Sequence, residues 1–194
     1  MTTLSGEHVL ICVAWPYANG PLHLGHVAGC YLPPDIQARF ERSKGNRVLM
    51  VSGSDEHGTP ITVTAETQGI SPQEVVDKYH KINTQTLLDL GCSWEPNIDP
   101  RGVDFGGSLF NRTSDPDHYK IVSENFVSLM DAGLFERKVM QQYYEIRSDG
   151  GRFLPDRYVE GECPNCGADG ARGDQCDECG VTYESHELIN PRSK

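Results

Sequence analysis

Ala14-Trp15-Pro16-Tyr17-Ala18-Asn19-Gly20-Pro21-Leu22-His23-Leu24-Gly25-His26 follows a continuous apolar run, Val9 to Val13. The run reads as a buried parallel strand, expected over Val9–Trp15. Asn19-Gly20-Pro21 punctuates a turn. A helix is then expected to open near His23 and to bury Leu24, Val27 and Ala28. Strand, tight turn and helix start together form a phosphate-binding geometry, with free backbone N–H groups and the positive end of the helix dipole facing an anion. Two imidazoles, His23 and His26, with Gly25 between them, add side-chain donors within reach of a nucleotide's phosphates. On the residues alone two other readings stay open: a solvated or packed histidine pair, and half of a metal site at i, i+3.

Downstream, Pro33-Pro34 fall where this helix would continue, and proline inside a helix costs about 3 kcal/mol. A kink or restart is expected there, with the second part running through Ile36 and Phe40. Gly45 ends it, and Arg47-Val48-Leu49-Met50-Val51 reads as a second buried strand. Strand, helix and strand of this length make a βαβ unit with parallel strands. The polar cluster Gly53-Ser54-Asp55-Glu56-His57-Gly58-Thr59-Pro60 and the histidine segment then lie beyond the carboxyl ends of neighbouring strands, where open α/β sheets bind ligands.

Two helices are expected next, Pro60–Gln68 closed by Gly69, and one opened by the capping box Ser71-Pro72-Gln73-Glu74 that runs to Leu90 before Gly91. Val75, Tyr79 and Ile82 mark the buried stripe of the second. Trp94 to Pro116 is rich in proline and glycine and reads as loop. A further helix, Asp117–Ala132, is expected to bury Ile121, Val122, Phe126, Leu129 and Met130. From Leu134 the texture changes to short strand-like pieces, Tyr143–Ile146 and Phe153–Val159. A domain boundary is placed near Gly133, giving units 1–133 and 134–194.

The second unit carries Cys163-Pro164-Asn165-Cys166-Gly167 and Cys176-Asp177-Glu178-Cys179-Gly180. Four thiolates at C-x2-C-x9-C-x2-C spacing build a closed tetrahedral zinc site, and closed sites are structural. A thioredoxin-like redox role needs one C-x-x-C in a βαβ setting, which these flanks lack. Cys12, Cys30 and Cys92 are expected to be small buried hydrophobes. The formal net charge is −11, from 28 acidic and 17 basic residues. Nucleic-acid affinity rests on Lys and Arg, so this balance opposes a role as the main RNA-gripping surface. No 18-residue apolar run and no apolar signal core is present, so a cytoplasmic location without membrane contact is expected.

His23-Leu24-Gly25-His26 resembles the HIGH signature of class I aminoacyl-tRNA synthetases. The extended Ala14–His26 segment resembles the methionyl-tRNA synthetase family, as does Asp55-Glu56-His57-Gly58-Thr59-Pro60. Isoleucyl enzymes have Asp-x-His-Gly-Leu-Pro at that second place, and leucyl and valyl enzymes differ at both. Phe153-Leu154-Pro155-Asp156-Arg157-Tyr158-Val159 with the cysteine pairs is similar to that family's inserted connective peptide.

The resemblance implies an α/β fold: the N-terminal half of a Rossmann-like catalytic domain, with the start of an inserted zinc-knuckle domain. It implies that His23 and His26 are catalytic and, with Gly25, bind ATP. Ala14, Trp15 and Tyr17 would line the methionine side-chain pocket, and Asp55 would take the α-ammonium. Cys163, Cys166, Cys176 and Cys179 would hold one structural Zn2+. Substrates would be L-methionine, ATP with Mg2+, and tRNA(Met). The second half of the active site, a KMSKS-type loop and an anticodon-reading bundle are not among these residues, so the isolated piece is expected to be inactive or nearly so.

Two other classes fit parts of the chain. A zinc hydrolase would use His23, His26 and His57 as ligands, although the HExxH arrangement is missing. A zinc-knuckle interaction module, RNA-binding or not, would leave the first 60 residues without a role.

Overall fold

The structure, a computed structural model, describes residues 6–94, 110–146, 148 and 150–193. Contacts divide it into two units, Met1–Asp131 and Ala132–Lys194.

The first unit starts with strand β1 (His8–Cys12). A helical run follows without a break: one α-turn, α1 (Leu24–His26), a π-helical segment Val27–Tyr31, and α2 (Leu32–Ser43). The expected kink at Pro33-Pro34 is replaced by this π segment. Both prolines sit in the first turn of α2, where missing N–H groups cost least. The Leu32 N–H reaches back five residues to the Val27 carbonyl, which is the wide-turn pattern.

Strand β2 (Arg47–Ser54) then pairs in parallel with β1, Val9 facing Val48 and Ile11 facing Met50. Helices α3 (Thr59–Gln68) and α4 (Pro72–Asp89) cross over to β3 (Phe110–Arg112), which pairs in parallel with the end of β2. The sheet order is β1-β2-β3, so β2 is central. Helix α5 (Pro116–Asp131) closes the unit.

The local stop and start signals act as the sequence demands. Gly69 caps α3 at φ 65°, and Ser71 and Glu74 form the reciprocal capping box of α4. Several burial expectations fail. Strand β1 ends at Cys12 and alternates exposed with half-buried, because only one of its faces is covered by α2 and its neighbours. Leu24 and Ala28 are exposed, and so is Ile82; α4 buries Val75 as expected, with Val76, Asn83 and Leu87 in place of Ile82. Helix α5 has the predicted apolar stripe, but none of its residues is buried, and all except the half-buried His118 are exposed. Strand β3 falls inside the expected loop; three residues are too few to show a period. Residues 95–109, including the stretch 99–109, lie outside the described part. Cys12 is exposed, Cys30 half-buried and Cys92 buried, so only the last behaves as a core residue.

Two apolar clusters hold this unit. One joins Val13, Tyr31, Met50, Leu87, Trp94 and Phe110 under the sheet; the other packs Ala18 with Ile61, Ala65, Val75 and Val76 of the helix pair.

The second unit is built from short antiparallel pieces. Strand β4 (Tyr144–Glu145) pairs with β5 (Arg152–Phe153). Strand β6 (Val159–Glu162) lies between β7 (Ala171–Arg172) and β8 (Ile189–Ser193). The expected strand Phe153–Val159 is interrupted, because Pro155 leads into a 3-10 turn at Asp156–Tyr158. Its core is small: Leu154, Tyr158, Val159, Ala171 and Leu188 around Cys163 and Cys176. Among the described residues, no helix is long and apolar enough to cross a membrane.

Candidate functional site

Strands β1 and β2 end side by side, so the loops that leave them meet. The Val13 N–H extends the ladder to the Val51 carbonyl at 2.9 Å. The loops then stay joined. The Asp55 N–H donates to the Pro16 carbonyl and the Ala18 N–H to the Asp55 carbonyl, both at 2.8 Å. Tyr17 and Asp55 face each other across this bridge. Ala14 is fixed by its carbonyl, which accepts the Ser52 hydroxyl at 3.0 Å and the Tyr31 hydroxyl at 3.4 Å. Burial pushes the Tyr31 phenol well up, so it stays a donor.

Trp15 packs over Gly53. A Cβ at Gly53 would lie 2.5 Å from the indole, so only glycine lets the ring rest there. On another side the ring meets His118 of α5, with centroids 6.0 Å apart. Ala14 and Tyr17 are exposed, and Trp15 and Asp55 half-buried. The structure therefore gathers Ala14, Trp15, Tyr17 and Asp55 beyond the carboxyl ends of β1 and β2.

His23 and His26 are locked by their own backbone. The His26 N–H donates to His23 Nδ1 and the His23 N–H to His26 Nδ1, each at 3.3 Å. This is a capping box made from imidazoles, with the rings stacked 3.8 Å apart. A ring whose Nδ1 accepts an N–H carries its own hydrogen on Nε2 when neutral. Burial and then the nearby His23 lower the His26 pKa from its ordinary 6.5, which favours the neutral ring. Each imidazole therefore keeps one Nε2–H donor for a ligand. Gly25 is tight for the same reason: a Cβ there would stand 3.0 Å from His23 Cε1.

The turn before this pair is held by Asn83, a residue with no visible sequence signal. Its side chain is fully buried in α4. It accepts the Leu22 N–H at 3.1 Å and donates to the Gly20 carbonyl at 3.2 Å, so one amide fixes both sides of Pro21.

Asp55 does not cap α3, whose N-cap is Gly58. Its carboxylate accepts the His57 N–H at 3.4 Å. The neighbouring Glu56 behaves quite differently, with a side chain wholly buried. Arg112 Nε meets its two oxygens at 2.7 and 3.0 Å, and the Ser114 hydroxyl donates to it. His80 contacts Ser54 at 2.6 Å and stands 3.8 Å from Glu56. Burial, with help from Arg112, lowers the His80 pKa. Its Nδ1 faces both Ser54 and Glu56, so the three do not form a relay of the nucleophile–base–acid type.

In the second unit the four cysteine sulfurs lie within 4.8 Å of one another. Cys163 and Cys179 are 3.8 Å apart, and Cys166 and Cys176 are 3.7 Å apart. A tetrahedron with zinc–sulfur bonds of about 2.3 Å has edges of about 3.8 Å, so these sulfurs fit such an ion. Each pair folds alike. Gly167 returns its N–H to the Cys163 carbonyl at 3.0 Å, and Gly180 to Cys176 at 2.9 Å, both with φ near 72°. The Asn165 side chain and then the Val181 N–H draw the Cys179 thiol down to about 6. Among the described residues no other group of His, Cys, Asp or Glu gathers to hold a metal; His23, His26 and His57 do not.

Comparison with known proteins places the chain in a family. The chain is 49% identical over 188 residues to a methionine–tRNA ligase of Roseiflexus sp. (strain RS-1), covering 96% of the chain and 29% of that protein. It is 50% identical over 190 residues to the methionine–tRNA ligase of Thermobifida fusca, covering 98% and 29%. It thus spans less than a third of the length of these relatives. The fold is similar to that of Mycobacterium tuberculosis methionyl-tRNA synthetase in complex with methionyl-adenylate, with a TM-score of 0.61 at 22% identity over 91% of the chain and 30% of that protein. The family described as tRNA synthetases class I (M) matches residues 9–194. With nearly the whole chain matched, and the histidine pair and Asp55 loop carried on adjacent parallel strands, the chain belongs to the class I tRNA synthetases of the methionine type.

Proposed function

We propose that this chain is the part of a methionine–tRNA ligase that holds methionine and the phosphates of ATP. The observation that carries the reading is the backbone bridge between Asp55 and the Pro16–Ala18 loop. It supports a single cleft in which Asp55 takes the α-ammonium by a charge-assisted hydrogen bond. Ala14, Trp15 and Tyr17 wall the thioether, which gains from contact with aromatic rings. The Nε2–H donors of His23 and His26, with the close backbone approach at Gly25, bind ATP and stabilise charge on its α-phosphate as the methionine carboxylate attacks.

Methionyl-adenylate and pyrophosphate result, and the adenylate then acylates a hydroxyl of the terminal ribose of tRNA(Met), releasing AMP. Catalysis is mainly positioning and stabilisation of phosphate charge, with Mg2+ accompanying ATP. Residues 1–133 serve as the first half of a Rossmann-like domain, and residues 134–194 as the start of a connective-peptide insertion. Cys163, Cys166, Cys176 and Cys179 hold one structural zinc that ties this insertion's fold together. The rest of the active site comes from the remaining length seen in the relatives, and the protein works in the cytoplasm.

The test is methionine-dependent exchange of pyrophosphate into ATP by the full-length protein carrying this chain. Exchange with methionine, absent with isoleucine, leucine or valine and abolished by His23→Ala, is expected. No exchange with methionine would overturn the reading. The isolated 194 residues are expected to show none and to bind one zinc; two zincs per chain would favour a hydrolase instead.

A further inference from the structure

Asp55 and Glu56 are adjacent carboxylates with opposite fates. Asp55 is half-buried, while the Glu56 side chain is wholly buried. Three consecutive residues at the end of β3 grip the peptide that follows Asp55. Arg112 holds the Glu56 carboxylate, Thr113 Oγ1 accepts the Glu56 N–H at 2.8 Å, and Ser114 donates to the same carboxylate. The Thr113 carbonyl also lies 3.3 Å from His57 Nε2. Arg112 is itself steadied from α4, where Asp77 accepts from it at 2.6 Å. On the other side Asp55 is tied to Pro16 and Ala18. Residue 55 is therefore fixed before and behind, and among the described residues its own carboxylate is engaged by no more than the long His57 contact at 3.4 Å.

We infer that Arg112, acting through Glu56, is a positioning residue that aims the Asp55 carboxylate at a substrate ammonium; this rests on the role proposed for Asp55. Two effects combine. Arg112 Nε, shared between both Glu56 oxygens while Nη2 is held by Asp77, fixes the Glu56 side chain and backbone, and with it the direction of Asp55. The guanidinium also neutralises the buried charge of Glu56, so Asp55 is the one carboxylate of the pair that can attract a cation in the cleft. Lysine cannot replace this grip, since it supplies a point charge and no planar fork.

The experiment uses pyrophosphate exchange by the full-length protein with Arg112→Lys, Asp77→Asn and Asp55→Asn. For Arg112→Lys the KM for methionine should rise about tenfold, the scale of one lost charge-assisted hydrogen bond. The KM for ATP and kcat should stay within about threefold. A competitive acid without the ammonium group, 4-(methylsulfanyl)butanoate, should inhibit with an unchanged Ki. A folded Arg112→Lys protein with unchanged methionine KM overturns the inference, as does a Ki for the acid that rises in step with that KM. Should Arg112→Lys fail to fold, Asp77→Asn decides: Asp77 is exposed, and its loss should raise the methionine KM about threefold; no rise overturns the inference. Asp55→Asn is the reference. If it leaves the methionine KM unchanged, the functional reading of Asp55 falls, and the inference with it.

Discussion

The two units fix their candidate sites by opposite means. In the first, the side chains that would meet substrate are mostly exposed, and residues far away in sequence hold them: Asn83 for the turn before His23, Arg112 for the segment after Asp55. These candidate groups contribute little to the core, which is apolar and lies beneath them. In the second unit two of the four candidate ligands, Cys163 and Cys176, are themselves part of the core, while Cys166 and Cys179 close the cluster from the exposed side. A small element of this kind has too little apolar surface to fold by burial alone. One site is thus carried by a scaffold, and the other is the scaffold.

Metal removal should break that symmetry most strongly. Structural zinc contributes on the order of 10 kcal/mol to small metal-bound folds. Chelation, or Cys176→Ser, is expected to unfold residues 132–194 while the helical signal of the first unit persists. Circular dichroism with amide hydrogen exchange would read both; retained protection around Val159–Glu162 without metal would contradict the contrast. The converse is Met50→Ala in central strand β2, where Met50 is fully buried. It should cost the first unit about 2–5 kcal/mol and leave zinc content unchanged. Denaturant unfolding and metal analysis of the same sample would show whether the units are separable.

A smaller effect is expected at Asn83, whose amide joins α4 to the turn. Asn83→Ala leaves the Leu22 N–H and Gly20 carbonyl without that partner and should cost about 1–3 kcal/mol. In the full-length protein the KM for ATP should suffer more than that for methionine, because the histidine turn is what loosens. Equal loss for both substrates would mean a general packing defect.

The smallest is a pH effect at His80, which faces Ser54 and Glu56 of the β2 end, Arg112 and Phe110 of β3, and Asp77 of its own helix. Its folded pKa lies below the ordinary 6.5, chiefly through burial. Above that pH the imidazole is neutral in both states. As pH falls below it, the unfolded chain takes up a proton that the native chain refuses, so stability drops until the native pKa is reached, by at most about 1.4 kcal/mol per pH unit. An NMR titration placing His80 at or above 6.5 would contradict the assignment.

What could be read from the chain was local. The cap at Ser71, the stop at Gly69, the histidine pair after its turn, and the two C-x-x-C knuckles each act within a few residues, and geometry at that range follows from residue type and spacing. Even the prolines at 33 and 34 announced an irregular helix, though not that a π turn would absorb it. Nothing local marked Glu56 as buried, Asn83 as the brace of a turn 61 residues away, Gly53 as the floor under Trp15, or Phe110–Arg112 as a strand. Those roles exist only once parallel strands bring distant segments together, because a long-range hydrogen bond between single polar side chains has no period and no sequence neighbour to betray it. The sequence by itself determined which residues are candidates for ligand and metal. The tertiary structure decided which residues hold them still.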